Sequence, residues 1–194
     1  ISKLLADRPT VSFHVDAVQA IAKIPTEDYV TERVDFATFS SHKFHGLRGV
    51  GFVYIKSGKK ICPLLNGGGQ ESDKRSTTEN LAGIAAMAKA LRLSIENLGS
   101  FTTQTAKMKG IILEELAKYP DVTIFSGIEN FAPHILTFGI KGVRGEVVVH
   151  AFEEYDIYIS TTSACSSKAG KPAGTLIAMG VEKSLAQTAI RISL

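Results

Sequence analysis

The stretch Ser40-Ser41-His42-Lys43-Phe44-His45-Gly46-Leu47-Arg48-Gly49-Val50-Gly51 sets a lysine just past an apolar run, in a turn of hydroxyl, imidazole and glycine residues. A primary amine there can form a Schiff base with a carbonyl. The glycines let the backbone approach a bulky group, and Ser40 and His42 offer hydrogen bonds to a phosphate. A solvated surface loop uses the same residue types, so the motif alone leaves both readings open. In His14-Val15-Asp16-Ala17-Val18-Gln19 a carboxylate ends a second apolar run. An unpaired carboxylate is costly to bury, so Asp16 needs a partner. A protonated ring nitrogen would serve, as would the N–H groups of the turn from Ala17 to Ala22 that Asp16 can cap.

Three further stretches hold reactive or anion-binding types. Gly67-Gly68-Gly69-Gln70-Glu71 is followed by Arg75-Ser76-Thr77-Thr78-Glu79-Asn80, a flexible turn leading to a helix start where Thr78 suits both capping and anion binding. The segment from Ser160 to Pro172 is mostly small or hydroxylated, and it carries Cys165 with Lys168 and Lys171 nearby. A thiol in such a loop, with cations to favour its thiolate, is a candidate nucleophile; an unreactive surface cysteine fits the same loop. Cys62, between Ile61 and Pro63, reads as a small space-filling hydrophobe. Arg191 lies between Ile190 and Ile192 in a strand pattern, so its guanidinium faces away from both, toward a carboxylate of a substrate or of the chain itself. His134 and His150 have apolar neighbours and read as structural, and no His, Cys and carboxylate set has metal-ligand spacing.

The elements that must position these groups follow from periodicity. Val11 to His14, Phe36 to Ser40 and Gly51 to Ile55 are short β-rich runs bounded by polar or turn residues, as in a buried α/β sheet. Reactive groups in such sheets sit just past strand ends. Apolar residues at Leu81, Ile84, Ala85, Ala88, Leu91, Ile95 and Leu98 predict a helix from Glu79 to Leu98, with Gly99 as its stop. Beyond it the pattern predicts a helix from about Phe101 to Tyr119, strands at Val122 to Phe125 and His134 to Phe138, and a helix from about Gly145 to Tyr155. A strand at Ile157 to Ser160, a helix after Pro172 and a terminal apolar strand complete it. This is an α/β chain in which the long helix links two domains, residues 1–95 and 96–194.

Composition narrows the function class. A chain of 194 residues, 44% hydrophobic and 21% charged, is globular rather than disordered or fibrous. A net charge of +3 from scattered cations predicts no nucleic-acid partner, and no apolar run is long enough for a membrane span. With two cysteines and no secretory layout at Ile1 to Arg8, free thiols and a cytoplasmic location are expected. Ile1 to Ala6 reads as the body of an amphipathic helix and Ile190 to Leu194 as a strand interrupted, the look of a piece of a longer protein.

Taken in order, His14 to Gln19, Ser40 to Lys43, Gly67 to Glu71, Arg75 to Asn80, Ser163-Ala164-Cys165 and Arg191-Ile192-Ser193 closely resemble cysteine desulfurases of the NifS/IscS type. These are class V members of the fold-type I pyridoxal-phosphate enzymes. The resemblance runs the whole length and implies the C-terminal part of the large cofactor-binding domain followed by a small C-terminal α/β domain. It implies Lys43 as the Schiff-base lysine that later moves the substrate α-proton, Asp16 on the pyridine nitrogen and Gln19 on the ring oxygen. It implies Ser40 and His42 on the phosphate, and Thr78 on the phosphate of a partner subunit in a homodimer. Arg191 would clamp the α-carboxylate of L-cysteine. Cys165 would take the sulfur as a persulfide and pass it to an acceptor such as an iron-sulfur scaffold, a tRNA-thiolation enzyme or a thiamine-pathway carrier. No metal, direct nucleic-acid or membrane partner is implied.

The chemistry fits the residue types independently. Desulfuration needs a carbanion sink, an amine base, a carboxylate anchor and a soft nucleophile. The chain departs from the family in having Leu47 where Pro is usual, and Thr77 and Thr162 where Gly is frequent. The family also extends further at both ends, with an aromatic ring that stacks on the cofactor, a Gly/Thr phosphate turn and an Asn near the ring on the N-terminal side. Two rivals stand beside this expectation. One is another class V enzyme, such as a selenocysteine lyase or a small amino-acid transaminase; the other is a non-catalytic fragment that binds or dimerises.

Overall fold

The computed structural model describes residues 1–161 and 173–194. They fall into two compact units, Ile1–Gly99 and Ser100–Leu194.

The first unit is built on a three-stranded sheet of order β1-β2-β3, with β1 at His14–Asp16, β2 at Phe36–Ser40 and β3 at Gly51–Ile55. β1 and β2 are parallel, and β2 and β3 antiparallel. Alternation along β2 turns Ala37 and Phe39 into the core, where Phe39 stacks on Phe52 with ring centroids 4.4 Å apart. Ala17, Ile21, Val34, Phe44 and Met87 close that core. Met87 comes from α2 (Leu81–Glu96), which follows a short irregular turn labelled α1 (Gln70–Asp73). α2 passes close to the β2–β3 connection because residue 83 is glycine; a Cβ there would lie 2.6 Å from Val50 Cγ2.

A buried carboxylate ties the N-terminal segment to this sheet. Asp35 accepts from the Phe13 N–H at 2.9 Å and from Arg33 Nη1 at 2.9 Å, and pairs with Lys59 Nζ at 3.1 Å. Arg33 also donates to the carbonyls of Leu5, Arg8 and Val11. The Phe13 N–H first, then the two cations, hold the Asp35 carboxyl down to about 2 against the opposing effect of burial.

The second unit has an antiparallel sheet of order β4-β5-β7-β6, formed by Val122–Ile124, Ile135–Ile140, Ala189–Ser193 and Ser160–Thr161 for β4, β5, β7 and β6. One face, with Leu136, Phe138, Ile190 and Ile192, packs on α3 (Leu98–Leu116) and α4 (Gly145–Glu153) through Ile112, Leu113, Val148 and Phe152. Toward the other face Ala189 packs with Leu176 of α5 (Gly174–Ala178) and Ala186 of α6 (Lys183–Ala186).

Several sequence expectations are corrected. The first strand is His14–Asp16 rather than Val11 to His14, because the ladder to β2 engages only those three residues. Ile1 to Ala6 form turns instead of a helix, with Ile1 and Leu4 exposed. Gly99 lies inside α3 rather than ending the preceding helix; one helical glycine costs only about 1 kcal/mol. The N-cap of α2 is Asn80, whose side chain accepts from the Gly83 N–H at 3.0 Å, so Thr78 does not cap it.

Candidate active site

The parallel pairing of β1 and β2 fixes where the polar groups of the first unit stand. Asp16 and Ser40 are the last residues of their strands, so both lie at the same end of the sheet. The register pairs His14 with Phe36 and Asp16 with Thr38, which puts Asp16, Thr38 and Ser40 on one face, opposite the buried Ala37 and Phe39. The C-terminal ends of parallel strands are where α/β sheets bind ligands. Asp16 Oδ1 accepts from the Val18 N–H at 3.1 Å, so one carboxylate oxygen caps the turn that carries Gln19. His14 Nε2 lies 3.3 Å from Thr38 Oγ1 on the same face.

Ser40 leads directly into a 3-10 turn, Ser41–Phe44, that carries Lys43. The turn is fastened at three points. The Ser41 N–H donates to the Val50 carbonyl, the Gly46 N–H to the Ser41 carbonyl, both at 3.0 Å, and Ser94 Oγ of α2 to the Phe44 carbonyl at 3.2 Å. Phe44 anchors it in the core, while His42 is exposed and Lys43 half-buried. Gly46 is required by contact, since a Cβ there would fall 2.0 Å from Ser41 Oγ. Lys23, at the end of the Asp16 turn, was not singled out by sequence. Burial first, and then the charge of Lys43, push its ammonium below the ordinary lysine range, so the two lysines share one electrostatic environment.

Thr78 lines a separate polar cavity of about 430 Å³ with Gly49, Gly51, Arg75 and Asn80. Gly51 is the ladder partner of Ser40, so this cavity opens beside the end of β2.

Arg191 belongs to the second unit. It stands opposite Thr137 on β5 and Ser160 on β6, on the face away from Ile190 and Ile192, as its apolar neighbours predicted. There it lines a largely apolar cavity of about 350 Å³ with Phe125, Phe131, Thr137 and Leu176. Cys165 and its loop lie outside the described residues. Cys62 is exposed, not a space-filling core residue; it lies in a segment without helix or strand. His150 is also exposed, 2.9 Å from Glu153 one helical turn along α4, whereas His134 is half-buried against the Phe101 ring.

The first unit thus sets a lysine and a carboxylate at or just past strand ends of a mixed α/β framework, and comparison with known proteins gives the family. The aminotransferase class-V family model matches residues 1–194, and the chain belongs to that family. It is similar to a NifS/IcsS protein homolog of Lactobacillus delbrueckii subsp. bulgaricus, with 50% identity covering all of this chain and 50% of the relative. It is 35% identical to cysteine desulfurase IscS of Clostridium botulinum (strain Hall), covering 98% of this chain and 48% of that protein. Among solved structures, a NifS-like protein aligns with a TM-score of 0.83 at 36% identity over 98% of this chain and 49% of its own. A NifS-like protein from Rickettsia africae aligns with a TM-score of 0.83 at 30% identity, over 100% and 50%. The chain thus spans about half the length of the curated relatives it matches.

The family uses pyridoxal phosphate, and the first unit's donor set fits it. A carboxylate and a hydroxyl end two neighbouring parallel strands, and an imidazole and a lysine amine follow the second, the donor types that a ring nitrogen, a phosphate and a carbonyl would need.

Proposed function

We propose that this chain carries the cofactor-holding and carboxylate-binding parts of a pyridoxal-phosphate-dependent cysteine desulfurase. The observation that carries this reading is the fastened Lys43 turn, set past the end of β2 beside the Asp16 end of β1. When bound, the cofactor supplies an electron sink for a carbanion at the substrate α-carbon. Asp16 would face the ring nitrogen and favour its protonated form by charge, Gln19 would meet the ring oxygen, and Ser40 and His42 would hold the phosphate. Lys43 would offer its amine to hold the cofactor and would be the base placed to move the substrate α-proton. Thr78 reaches a partner subunit's phosphate across a homodimer interface. Arg191 holds the α-carboxylate of L-cysteine as a bidentate donor. The thiolate of Cys165 takes the sulfur, so cysteine plus the enzyme thiol become alanine plus an enzyme persulfide.

In this reading residues 1–95 are part of the large cofactor-binding domain and residues 96–194 the small domain. In the same reading the protein would work in the cytoplasm and pass sulfur to an iron-sulfur scaffold or a tRNA-thiolation enzyme, and a relative named cysteine desulfurase supports the desulfurase part of it.

The test is an absorption spectrum with added pyridoxal phosphate, then borohydride trapping and peptide mapping, in the intact protein. A visible band trapped on Lys43 is the expected result; trapping on another lysine overturns the site. Lys43→Ala and Cys165→Ser are each expected to lower alanine release from L-cysteine by about 10³-fold or more. A Cys165→Ser protein that keeps full turnover would replace the desulfurase reading with another class V activity.

A further inference from the structure

Lys109 occupies a position where the fold calls for an apolar side chain. On α3, Phe101, Thr105 and Lys109 follow at steps of four residues, leading into the stripe of Ile112, Leu113 and Leu116 that packs on the sheet. Lys109 is 2% exposed. Its Nζ donates to the Ala132 carbonyl at 3.1 Å and lies 5.9 Å from the centroid of the Phe131 ring. No salt bridge to it occurs among the described residues. A buried ammonium with one hydrogen bond is more costly to keep than a methionine of similar length. Burial accordingly pushes Lys109 below the ordinary lysine range.

What the cation holds is the connection between β4 and β5, and that connection walls the Arg191 cavity through Phe131 and Ala132. The same connection is gripped at its base, where the Thr137 N–H donates to Ser126 Oγ at 2.6 Å, and at its far end, where Phe101 of α3 touches the His134 ring. Between these ends Lys109 is the strut. We propose that Lys109 is a positioning residue for the carboxylate pocket, holding the Phe131–Ala132 wall at the distance from Arg191 that a small amino-acid substrate requires. This rests on the assignment of Arg191 to the substrate carboxylate.

The test compares Lys109→Met, Lys109→Arg and Arg191→Met in the intact protein, reading L-cysteine kinetics, thermal midpoint and amide hydrogen exchange at Ile128 to Ala132. The Ala132 carbonyl keeps the Ile135 N–H as a donor, so Lys109→Met leaves no orphaned acceptor. Its midpoint is expected to be unchanged or raised, its wall amides to exchange faster, and its KM to rise about five- to tenfold with kcat within about twofold. Lys109→Arg restores the donor and is expected to return KM toward the parent value. Unchanged exchange in Lys109→Met overturns the strut. Faster exchange with unchanged KM, while Arg191→Met raises KM, overturns its link to substrate. An unchanged KM in Arg191→Met overturns the carboxylate assignment and the inference with it. Failure of Lys109→Met to fold makes the residue structural and also overturns the proposal.

Discussion

At the scale of single residues, two ionisable groups of the first unit are shifted with charged neighbours among the causes, Asp35 by the Phe13 N–H and then by Lys59 and Arg33, and Lys23 by burial and then by Lys43. The Asp35 carboxyl has a folded pKa of about 2 against an ordinary value of 3.8, so the folded state binds its proton less readily than the unfolded chain does. The stability this contributes is fully present above pH about 4 and is lost as the pH falls toward 2. Asp35→Asn is expected to flatten the acid limb of the stability profile in that window, and to loosen the Leu5 to Val11 segment held through Arg33; denaturant melts between pH 2 and 6 check both. Lys23 responds to Lys43 by charge. Removing that charge in Lys43→Met is expected to move the Lys23 titration upward, though still short of the ordinary lysine value because burial is the larger cause. An NMR titration of the lysine ε-methylenes reads this with no cofactor present, and an unmoved Lys23 would separate the two side chains.

At the scale of elements, helix α2 and the Lys43 turn make opposite predictions for neighbouring residues. Asn80→Ala removes the cap of α2 and is expected to cost about 1 kcal/mol, whereas Thr78→Ala, two residues earlier, is expected to leave the thermal midpoint unchanged. In the turn, Ser41 Oγ is buried and has no hydrogen-bond partner among the described residues, so Ser41→Ala is expected to be neutral or stabilising. Gly46→Ala forces a Cβ onto that hydroxyl and is expected to destabilise by roughly 1–3 kcal/mol, with partial recovery in the Ser41→Ala, Gly46→Ala double variant. The strands that carry these features were legible where alternation and boundary residues agreed: Phe36–Ser40 and Gly51–Ile55 stand where the pattern put them. The places of Asp16, Ser40, His42 and Lys43 at or just past strand ends were legible, because apolar runs mark where strands stop. Elsewhere local pattern misled, since Ile1 to Ala6 have helical spacing but form turns with Ile1 and Leu4 exposed, and Gly99 sits in open space within α3. Lys23 and Lys109 were not legible at all. Their environments come from residues 20 and 23 positions away, Lys43 and Ala132, and no local spacing encodes that.

At the scale of the whole molecule, the candidate groups are divided between the two units, with Asp16, Gln19, Ser40, His42, Lys43 and Thr78 in the first and Arg191 in the second. Each unit has its own sheet and its own buried cluster. The second is the better candidate for independent folding. Its antiparallel sheet needs no crossover partner from outside, and α3 and α4 cover one face, with Leu136 and Ile190 at 0% exposure. The first unit, by contrast, leaves His14, Asp16 and, on the edge strand β3, Val53 and Tyr54 exposed. Residues 98–194 expressed alone are therefore expected to give a cooperative unfolding transition and dispersed amide resonances. Leu136→Ala in that fragment is expected to cost about 2–5 kcal/mol, as for a fully enclosed leucine whose neighbours collapse only in part. A fragment that melts without cooperativity, or a Leu136→Ala cost below about 1 kcal/mol, would mean that the core around Leu136 is completed only by the rest of the protein.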